Sequence, residues 1–387
     1  MSNKPSTAIL HYTAPPVVGG VEAVIEAHAK AFTQAGYPVA VVAGRGEAAA
    51  LPDGVDLIHL PMLDTRHPRV TEANVALVEG QVPANFDALT DELEATLTEV
   101  LQPFDTVIVH NVYTKHFNLP LTAALHRLIG TDGMGHAIAW CHDFSWTSAN
   151  SRPKLSPGFP WDLLRTQRPE VTYVVVSKRR QRALAGLFEC SPEEIRVVYN
   201  GVDPQVLLGL SDPGYDLAVR LGLLESELNL LMPVRVTQAK NIEAALRVVA
   251  ALKARGCRPK LVLTGPPDPH DAKSMAYFRE LQALRAELGV TDEMRFVFES
   301  GPDPDEPHFI DIEVVGDLFR VSDAMFMPSH REGFGMPVLE AGLVGMPVIC
   351  TSMPAAEEIG GEDVILIEAG DDPDQIAGRI LDWAEGS

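Results

Sequence analysis

The chain alternates short apolar strands with helical stretches, and it does so in two successive series. In the first series, apolar runs rich in β-branched residues predict six strands, at residues 8–11, 39–43, 106–110, 137–141, 173–176 and 197–199. Predicted helices lie between them, including residues 22–35 and 86–101. This alternation is typical of parallel α/β layers, in which a crossover helix returns the chain to the same edge of the sheet.

The second series begins after a turn-rich segment at residues 200–204. It predicts strands at residues 228–232, 260–264, 295–298, 324–327 and 347–350, with helices at residues 241–255, 272–288, 312–321 and 337–343. A length of 387 residues is too great for one ordinary core and fits two domains. We therefore predict an α/β protein of two Rossmann-like domains, residues 1–203 and 204–387.

Composition excludes several classes of protein. The formal net charge of −22 argues against nucleic-acid binding and against broad adhesion to anionic lipid. No apolar run has the length needed to span a bilayer, and the first ten residues lack a signal-peptide core, which predicts a cytoplasmic protein. The four cysteines are scattered, without metal-ligand spacing. The sequence leaves the oligomeric state open.

One basic run, Lys178 to Arg182, stands out in this acidic chain. It is interpreted as the solvated first turns of a helix that begins after Ser177, because a single short run of charge is usually a solvated face. The alternative is a local patch for phosphate or membrane.

Two carboxylates, Glu332 and Glu340, flank the string Gly-Phe-Gly-Met-Pro-Val-Leu. Gly333 and Gly335 permit a positive φ and a close approach to a ligand, and Pro337 fits the first turn of a helix. The free N–H groups of such a helix start attract phosphate, whereas the two acids suit neutral hydroxyls. Together these features describe a site for a nucleotide-sugar.

A cationic pair, Arg235 and Lys240, follows the first strand of the second series. Breaking an anomeric C–O bond leaves a nucleoside diphosphate with growing negative charge, and two fixed cations would stabilise that charge. A metal is not required for this role. Asp303-Pro304-Asp305 has the form of a metal motif but is interpreted as loop, because prolines flank both acids and the donor phosphates already have a cationic site elsewhere.

This arrangement resembles the donor site of the retaining glycosyltransferases of the GT-B fold, glycosyltransferase family 4. The resemblance implies two Rossmann-like domains whose parallel sheets face a central cleft. It implies that Glu332 contacts the donor sugar, that Glu340 holds the nucleotide ribose, and that Arg235 and Lys240 bind the diphosphate. It also predicts donor contacts at Gly333, Phe334, Gly335, Gly265 and Phe298.

In the first domain, the resemblance implies that the loop carrying Gly19 and Gly20 faces the diphosphate, and that His142 contacts the donor sugar. His142 ends an apolar strand, at the edge where open α/β sheets bind ligands. A structural role is the alternative for a histidine in this position. The preceding strand ends at residues predicted to lie on the acceptor side, namely His110, Asn111 and Lys115, with His116 beside them.

The resulting hypothesis is a metal-independent, retaining transfer of a hexose from a UDP-, GDP- or ADP-sugar to a soluble hydroxyl acceptor, such as a sugar, sugar acid or sugar phosphate. No cofactor is expected beyond the donor, and no stable membrane association. The alternatives are a GT-B phosphorylase, a nucleotide-sugar epimerase, a transferase acting on a lipid or cell-wall acceptor, and a non-catalytic sugar-binding protein.

The chain stops one predicted helix after its last strand, at Ser387. Members of the resembled family usually continue into a helix that crosses back to the first domain. The expectation is a truncated chain, or one whose domains move more freely than usual.

Overall fold

A computed structural model describes residues 4–303, 305–352, 354–361, 364–368 and 370–386. The chain divides into two compact units, Met1–Val202 and Asp203–Ser387. Each unit has its own parallel sheet and its own hydrophobic core.

The first unit is built on a seven-stranded sheet in the order β3-β2-β1-β4-β5-β6-β7. All neighbouring pairs in it are parallel. Its strands are β1 (Thr7–His11), β2 (Val39–Ala43), β3 (Asp56–His59), β4 (Thr106–His110), β5 (His136–Cys141), β6 (Thr172–Val175) and β7 (Arg196–Val197). Its α-helices are α1 (Gly20–Gln34), α2 (Pro68–Val78), α3 (Phe86–Leu101), α4 (Leu119–Leu128) and α5 (Lys178–Phe188).

The second unit carries a six-stranded sheet in the order β10-β9-β8-β11-β12-β13, again with parallel neighbours. The strands are β8 (Leu228–Met232), β9 (Pro259–Leu263), β10 (Met294–Phe296), β11 (Ala324–Met327), β12 (Val348–Thr351) and β13 (Val364–Ile367). The α-helices are α6 (Pro204–Leu208), α7 (Asp212–Leu221), α8 (Ile242–Ala254), α9 (Ala272–Glu287), α10 (Ile312–Val321), α11 (Met336–Leu343), α12 (Pro354–Gly360) and α13 (Pro373–Gly386).

The central strands are continuous apolar runs because both faces of each sheet are covered. Every residue of β1, β2, β8, β11 and β12 is buried. Such runs are expected for parallel strands flanked by helices on both sides. Most of their polar residues lie where the strands begin or end, apart from Asn229 inside β8, whose amide donates to the carbonyls of Leu223 and Val321. The carboxyl ends of these strands therefore hold the candidate functional residues.

A buried carboxylate joins two helices of the second unit. Asp317 on α10 is 1% exposed and accepts a 2.5 Å hydrogen bond from the Ser211 hydroxyl, just before α7. It also accepts a 3.1 Å bond from the Ser211 backbone N–H and pairs with Arg320. A Cβ at Gly214 would lie 1.9 Å from the Asp317 carboxylate, so only glycine allows α7 to pack this closely.

The prediction of two Rossmann-like α/β series is confirmed, with most strand and helix limits within two residues. Two differences have physical reasons. The edge strand β3 was missed because it is half-exposed and begins and ends with the polar residues Asp56 and His59. The strand predicted at residues 295–298 ends at Phe296, and the chain continues as a 3-10 helix, Val297–Glu299. The strand β13 and the helices α2, α4, α6, α7 and α12 were not predicted.

The basic run behaves as a helix start. Ser177 caps α5 by accepting a hydrogen bond from the Arg180 backbone N–H, as interpreted from the sequence. Among the described residues, no helix is long and apolar enough to cross a membrane. The four cysteines are unpaired, and Cys141 and Cys350 are buried.

Candidate functional site

The loop after β8 carries both predicted cations of the second unit. β8 lies at the centre of its sheet between β9 and β11, at the point where the strand order reverses. Loops after strands at such a point form the ligand crevice of open α/β sheets. The chain leaves β8 at Met232 and turns through a 3-10 helix, Gln238–Lys240. It enters α8 through Asn241, whose φ of 51° lies in the left-handed region.

Lys240 and Glu332 form a close ion pair across this edge of the sheet. The Lys240 Nζ lies 2.7 Å from each carboxylate oxygen of Glu332. Both side chains are recessed, at 19% and 8% exposure, so the pair is shielded from solvent more than a surface pair would be. Two residues that the sequence placed in one donor site are therefore in direct contact.

Ser329 completes the surroundings of the Glu332 carboxylate. Its fully buried hydroxyl donates a 2.6 Å hydrogen bond to Oε1. The backbone N–H of His330 donates to the carbonyl of Ala239 at 2.9 Å, which fixes the loop after β11 against the loop after β8. Oε2 receives only the lysine among the described residues, which leaves it acceptor capacity for a ligand hydroxyl. No role for Ser329, which lies two residues after β11, was predicted from the sequence.

Gly265 holds the Arg235 loop against the loop after β9. Its backbone N–H donates to the carbonyl of Val234 at 3.0 Å. A Cβ at this position would lie 2.5 Å from the Val234 carbonyl oxygen and 2.8 Å from the Cα of Arg235. Only glycine fits here, because the backbone of Gly265 packs directly against the backbone of Val234 and Arg235. Its role is therefore to position Arg235.

Arg235 is exposed and makes no hydrogen bond or ion pair with the part of the chain that the structure describes. Its guanidinium contrasts with the ammonium of Lys240, which already has a carboxylate partner. Of the two predicted cations, Arg235 alone has all its donors available to an anion.

The glycine-rich turn leads into α11 as predicted, but its two glycines differ. Gly335 caps the helix with a φ of 85°, which favours glycine. Gly333 lies outside the left-handed region, and a Cβ there would meet nothing within 4 Å. The expectation of a positive φ at Gly333 is therefore wrong. The space around Gly333 is open, so a ligand could still approach its backbone closely.

The remaining predicted donor residues of this unit lie in three different settings. Glu340 is half-buried on α11 and has no polar partner among the described residues. Phe334 is 64% exposed beside the glycine turn. Phe298 is 7% exposed and packs between Phe278 and Phe309, with ring centroids at 5.6 and 5.8 Å. The Phe298 ring thus belongs to the core, and the structure does not place it with the other residues of the turn.

In the first unit, two predicted residues form a histidine pair. His110 ends β4 and His142 follows β5, and His110 Nδ1 lies 3.1 Å from His142 Nε2. Burial, followed by the neighbouring His11, His142 and His28, holds the pKa of His110 well below its ordinary value. Burial, followed by His11 and His28, lowers the pKa of His142 to about 4. Both rings are neutral at pH 7.

The tautomers of this pair follow from hydrogen bonding. His110 Nε2 is buried without a partner among the described residues. A buried acceptor without a partner costs less than a buried N–H without one, so the proton of His110 belongs on Nδ1, where it is donated to His142 Nε2. The proton of His142 is then on its own Nδ1, which is free to donate to a ligand hydroxyl.

Asn111 fixes the loop that carries His142. Its φ of 61° is in the left-handed region that asparagine tolerates. Its side-chain Oδ1 accepts hydrogen bonds from the backbone N–H groups of His142 at 2.9 Å and Asp143 at 3.2 Å. This acceptor is fully engaged within the protein, so the contribution of Asn111 is to position His142.

The carboxylate of Glu22 lies next to the glycine loop before α1. Gly19 caps α1 in an extended conformation, and a Cβ there would lie 2.2 Å from the Glu22 carboxylate. Glu22 is 9% exposed and accepts a hydrogen bond from the Thr13 hydroxyl. A negative charge therefore already occupies the start of α1, next to Gly19 and Gly20. No role for Glu22 was predicted from the sequence.

Lys115 is linked to the histidine pair by the carboxylate of Asp143. Its Nζ is 3.6 Å from Asp143, the residue after His142, and Arg180 pairs with the same carboxylate at 2.8 Å. The Lys115 side chain is 9% exposed. His110, Asn111, His142 and Lys115 thus form one connected group at the carboxyl edge of the sheet.

No group of three or more His, Cys, Asp or Glu side chains that could hold a metal ion occurs in the described ranges. In the acidic loop, the Asp305 backbone N–H donates to the Asp303 carboxylate at 2.9 Å, and Pro304 lies outside the described residues.

Comparison with known proteins assigns both units to one family. Residues 18–206 match the family model described as Glycosyltransferase Family 4. Residues 219–387 match the model described as Glycosyl transferases group 1. The chain belongs to glycosyltransferase family 4. The resemblance stated from the sequence is confirmed, and the two parallel α/β units are those expected of a GT-B member of this family.

Relatives of this family 4 chain include two bacterial proteins named D-inositol 3-phosphate glycosyltransferase. The protein from Stackebrandtia nassauensis is 31% identical over 199 residues, which are 49% of this chain and 41% of the relative. The protein from Actinosynnema mirum is 33% identical over 207 residues, 52% of this chain and 44% of the relative. The chain spans about half the length of the curated relatives it matches.

Among solved structures, Anabaena Alr3699/HepE in complex with UDP-glucose aligns over 99% of this chain and 90% of its own. The sequence identity is 16% and the TM-score is 0.37.

Proposed function

We propose that this chain is a retaining glycosyltransferase that moves a hexose from a nucleotide-sugar to a soluble hydroxyl acceptor. Membership of glycosyltransferase family 4 supports the reaction class. The observation that carries the proposal is the Lys240–Glu332 pair at the carboxyl edge of the second sheet, with the unpaired Arg235 on the same loop as Lys240.

The proposed donor site assigns one chemical task to each group. Arg235 and Lys240 bind the diphosphate, the first through a bidentate fork and the second as a point charge. Oε2 of Glu332 accepts a hydrogen bond from a hydroxyl of the donor sugar. Glu340, which is half-buried and has no polar partner among the described residues, accepts from the ribose hydroxyls. His142 donates its Nδ1–H to a hydroxyl of the sugar.

The proposed step needs no carboxylate nucleophile. The C1–O bond to the diphosphate breaks while a C1–O bond to the acceptor forms on the same face of the sugar. The acceptor proton passes to a phosphate oxygen of the leaving nucleoside diphosphate. Because Glu332 is held by Lys240 and Ser329, its part is orientation of the sugar, and the cations stabilise the leaving group.

The acceptor is proposed to be a small soluble molecule. Relatives named D-inositol 3-phosphate glycosyltransferase favour a sugar phosphate among the candidates. A phosphorylase, an epimerase and a lipid-directed transferase are the alternatives.

The test is a product analysis by ¹H NMR with UDP-, GDP- and ADP-glucose and a panel of sugar and inositol phosphates. We expect one donor to give a new α-glycoside, with the anomeric configuration of the donor and release of nucleoside diphosphate. Formation of a β-glycoside would contradict retention. Release of sugar 1-phosphate on addition of inorganic phosphate, or conversion of the donor without acceptor, would favour the phosphorylase or the epimerase.

A further inference from the structure

A cluster of basic side chains in the first unit extends the group around Lys115. It is formed by Lys115 and His116, which follow β4, and by Lys154 in the 3-10 helix Arg152–Lys154. These three residues are here called the anion cluster. Phe117 lies beside them, with its ring centroid 4.9 Å from the Lys115 Nζ.

The Lys115 ammonium has no hydrogen-bond acceptor among the described residues. Its side chain is more than nine-tenths buried, at 9% exposure. The carboxylate of Asp143 is its ion-pair partner, but at 3.6 Å it is beyond hydrogen-bond distance, and it is already bound by Arg180 at 2.8 Å. The ammonium carries three donors, and an anionic ligand could accept hydrogen bonds from them.

His116 presents a neutral N–H donor in the same place. The Ser145 hydroxyl oxygen accepts the His116 backbone N–H at 3.1 Å and lies 2.8 Å from His116 Nδ1. Ser145 is fully buried, and Nδ1 is the one acceptor available for its proton among the described residues. Nδ1 is therefore unprotonated and the His116 proton is on Nε2. Burial, followed by the charges of Lys115 and Lys154, lowers the pKa of His116 to about 4.

The net charge around Lys115 suits a dianion. Ion pairs join Lys115 and Arg180 to the Asp143 carboxylate, and the charge of Lys154 acts on His116. These groups are three cations and one carboxylate, which leaves two positive charges. A phosphate monoester carries close to two negative charges at neutral pH.

Two further features favour a small soluble ligand over a lipid surface. Lys115 is recessed, so its ammonium cannot reach a flat layer of headgroups. Phe117 is 40% exposed, and its backbone carbonyl is held by the Asn74 side chain at 2.7 Å. A fixed, partly exposed ring beside the cations offers an apolar surface for the C–H face of a sugar.

We propose that the anion cluster binds the phosphate group of a sugar-phosphate acceptor, with the sugar ring against Phe117. This inference rests on the proposed glycosyltransferase function and narrows its acceptor to a phosphate monoester. Lys115 and Lys154 supply charge, and His116 Nε2–H supplies a directed hydrogen bond. Asp143, which follows His142, connects the cluster to the histidine pair.

The experiment is calorimetric titration of the full chain with D-inositol 3-phosphate and glucose 6-phosphate, compared with inositol, glucose and inorganic phosphate. We expect the sugar phosphates to bind at least tenfold more tightly than the neutral sugars and more tightly than inorganic phosphate. Lys115→Gln and Lys154→Gln should each weaken sugar-phosphate binding about tenfold, as expected for loss of one charge-assisted contact. Lys178→Gln, which removes an exposed lysine of α5 outside the cluster, should leave it unchanged.

A second readout does not depend on affinity. Bound phosphate stabilises the imidazolium, so the pKa of His116, followed by NMR of its ring protons, should rise on saturation with glucose 6-phosphate. Equal affinity for neutral sugars and sugar phosphates, or wild-type affinity in both lysine variants, would overturn the proposal. So would Lys115-dependent binding to phosphatidylcholine vesicles containing phosphatidic acid without binding of soluble sugar phosphate.

Failure of this inference is distinguishable from failure of the proposed function. If UDP-, GDP- or ADP-sugars bind and a neutral sugar is glycosylated while sugar phosphates do not bind, the inference fails and the function stands. If no nucleotide-sugar binds, while sugar phosphates bind in the Lys115-dependent way, the function fails and the anion site stands.

Discussion

Lys240 and Glu332 form a close ion pair, with Nζ at 2.7 Å from both carboxylate oxygens. The ammonium that is proposed to bind the diphosphate is therefore also the group that holds the acid proposed to orient the sugar. Arg235 has no such partner among the described residues. The two cations should consequently respond differently to substitution.

Arg235→Ala should lower the rate of transfer on the order of a hundredfold, which corresponds to about 3 kcal/mol of transition-state stabilisation. The melting temperature should stay within experimental error of wild type, because the exposed guanidinium contributes no contact to the fold. Turnover and thermal melting of the purified variant test both statements. Near-normal turnover would refute the role of Arg235.

Lys240→Ala should lower the rate similarly and also destabilise the protein by about 2 kcal/mol, since it leaves the recessed Glu332 carboxylate without its counter-ion. The double variant Lys240→Ala with Glu332→Ala should recover part of that stability without recovering activity. Urea unfolding of the single and double variants measures the coupling. Additive losses of stability would show that the pair contributes nothing.

Gly265→Ala should destabilise the second unit by roughly 1–3 kcal/mol, because the new methyl group meets the Val234 carbonyl. Activity should fall as well, since the clash displaces the loop of Arg235. The matched control is Gly186→Ala, at a helical position of α5 where a Cβ meets nothing within 4 Å. Wild-type stability in Gly265→Ala would contradict the packing role.

Gly333→Ala should leave the melting temperature unchanged, because its backbone is unstrained and its surroundings are open. If a donor approaches this turn closely, the methyl group should weaken donor binding at least tenfold. Gly335→Ala should instead lower stability by about 1 kcal/mol, because alanine is strained at a φ of 85°. Unchanged donor affinity in Gly333→Ala would remove that residue from the site.

Stability should fall between pH 6.5 and 4, because several buried histidines are neutral in the folded state. For His126, burial, followed by the charge of Arg168, lowers the pKa to about 4. The unfolded chain therefore binds more protons in this window, and the stabilisation present above pH 6.5 is lost as the pH decreases. His126→Gln should reduce the dependence of the urea midpoint on pH, whereas substitution of the exposed His270 should not. An identical pH profile for His126→Gln would contradict this assignment.

The sequence was sufficient for the fold because hydrophobic alternation and helix length are local signals. Buried strands such as β2 and β11 are uninterrupted apolar runs, and their ends could be located within a residue or two. Edge strand β3 lacks that signal, since it is half-exposed and pairs on one side only.

The site was less predictable because its contacts cross the sequence. The 92-residue separation of Lys240 and Glu332 is closed only by the neighbouring ends of β8 and β11. Asn111 accepts a hydrogen bond from the His142 backbone, and Glu22 accepts one from Thr13. Both contacts depend on the shapes of loops, which the spacing of residues in the sequence does not predict. Phe298 was assigned a donor contact by resemblance, whereas the local packing of Phe278 and Phe309 places its ring in the core.

The most direct test of the central claim is calorimetric titration of the full chain with UDP-, GDP- and ADP-glucose in the presence of EDTA. The proposal predicts that at least one nucleotide-sugar binds without metal, and that Arg235→Ala weakens this binding tenfold or more. Arg247→Ala, which removes an exposed arginine from α8 of the same unit, should bind as the wild type does. Binding that requires added magnesium, or equal affinity in the Arg235→Ala and Arg247→Ala variants, would contradict the account.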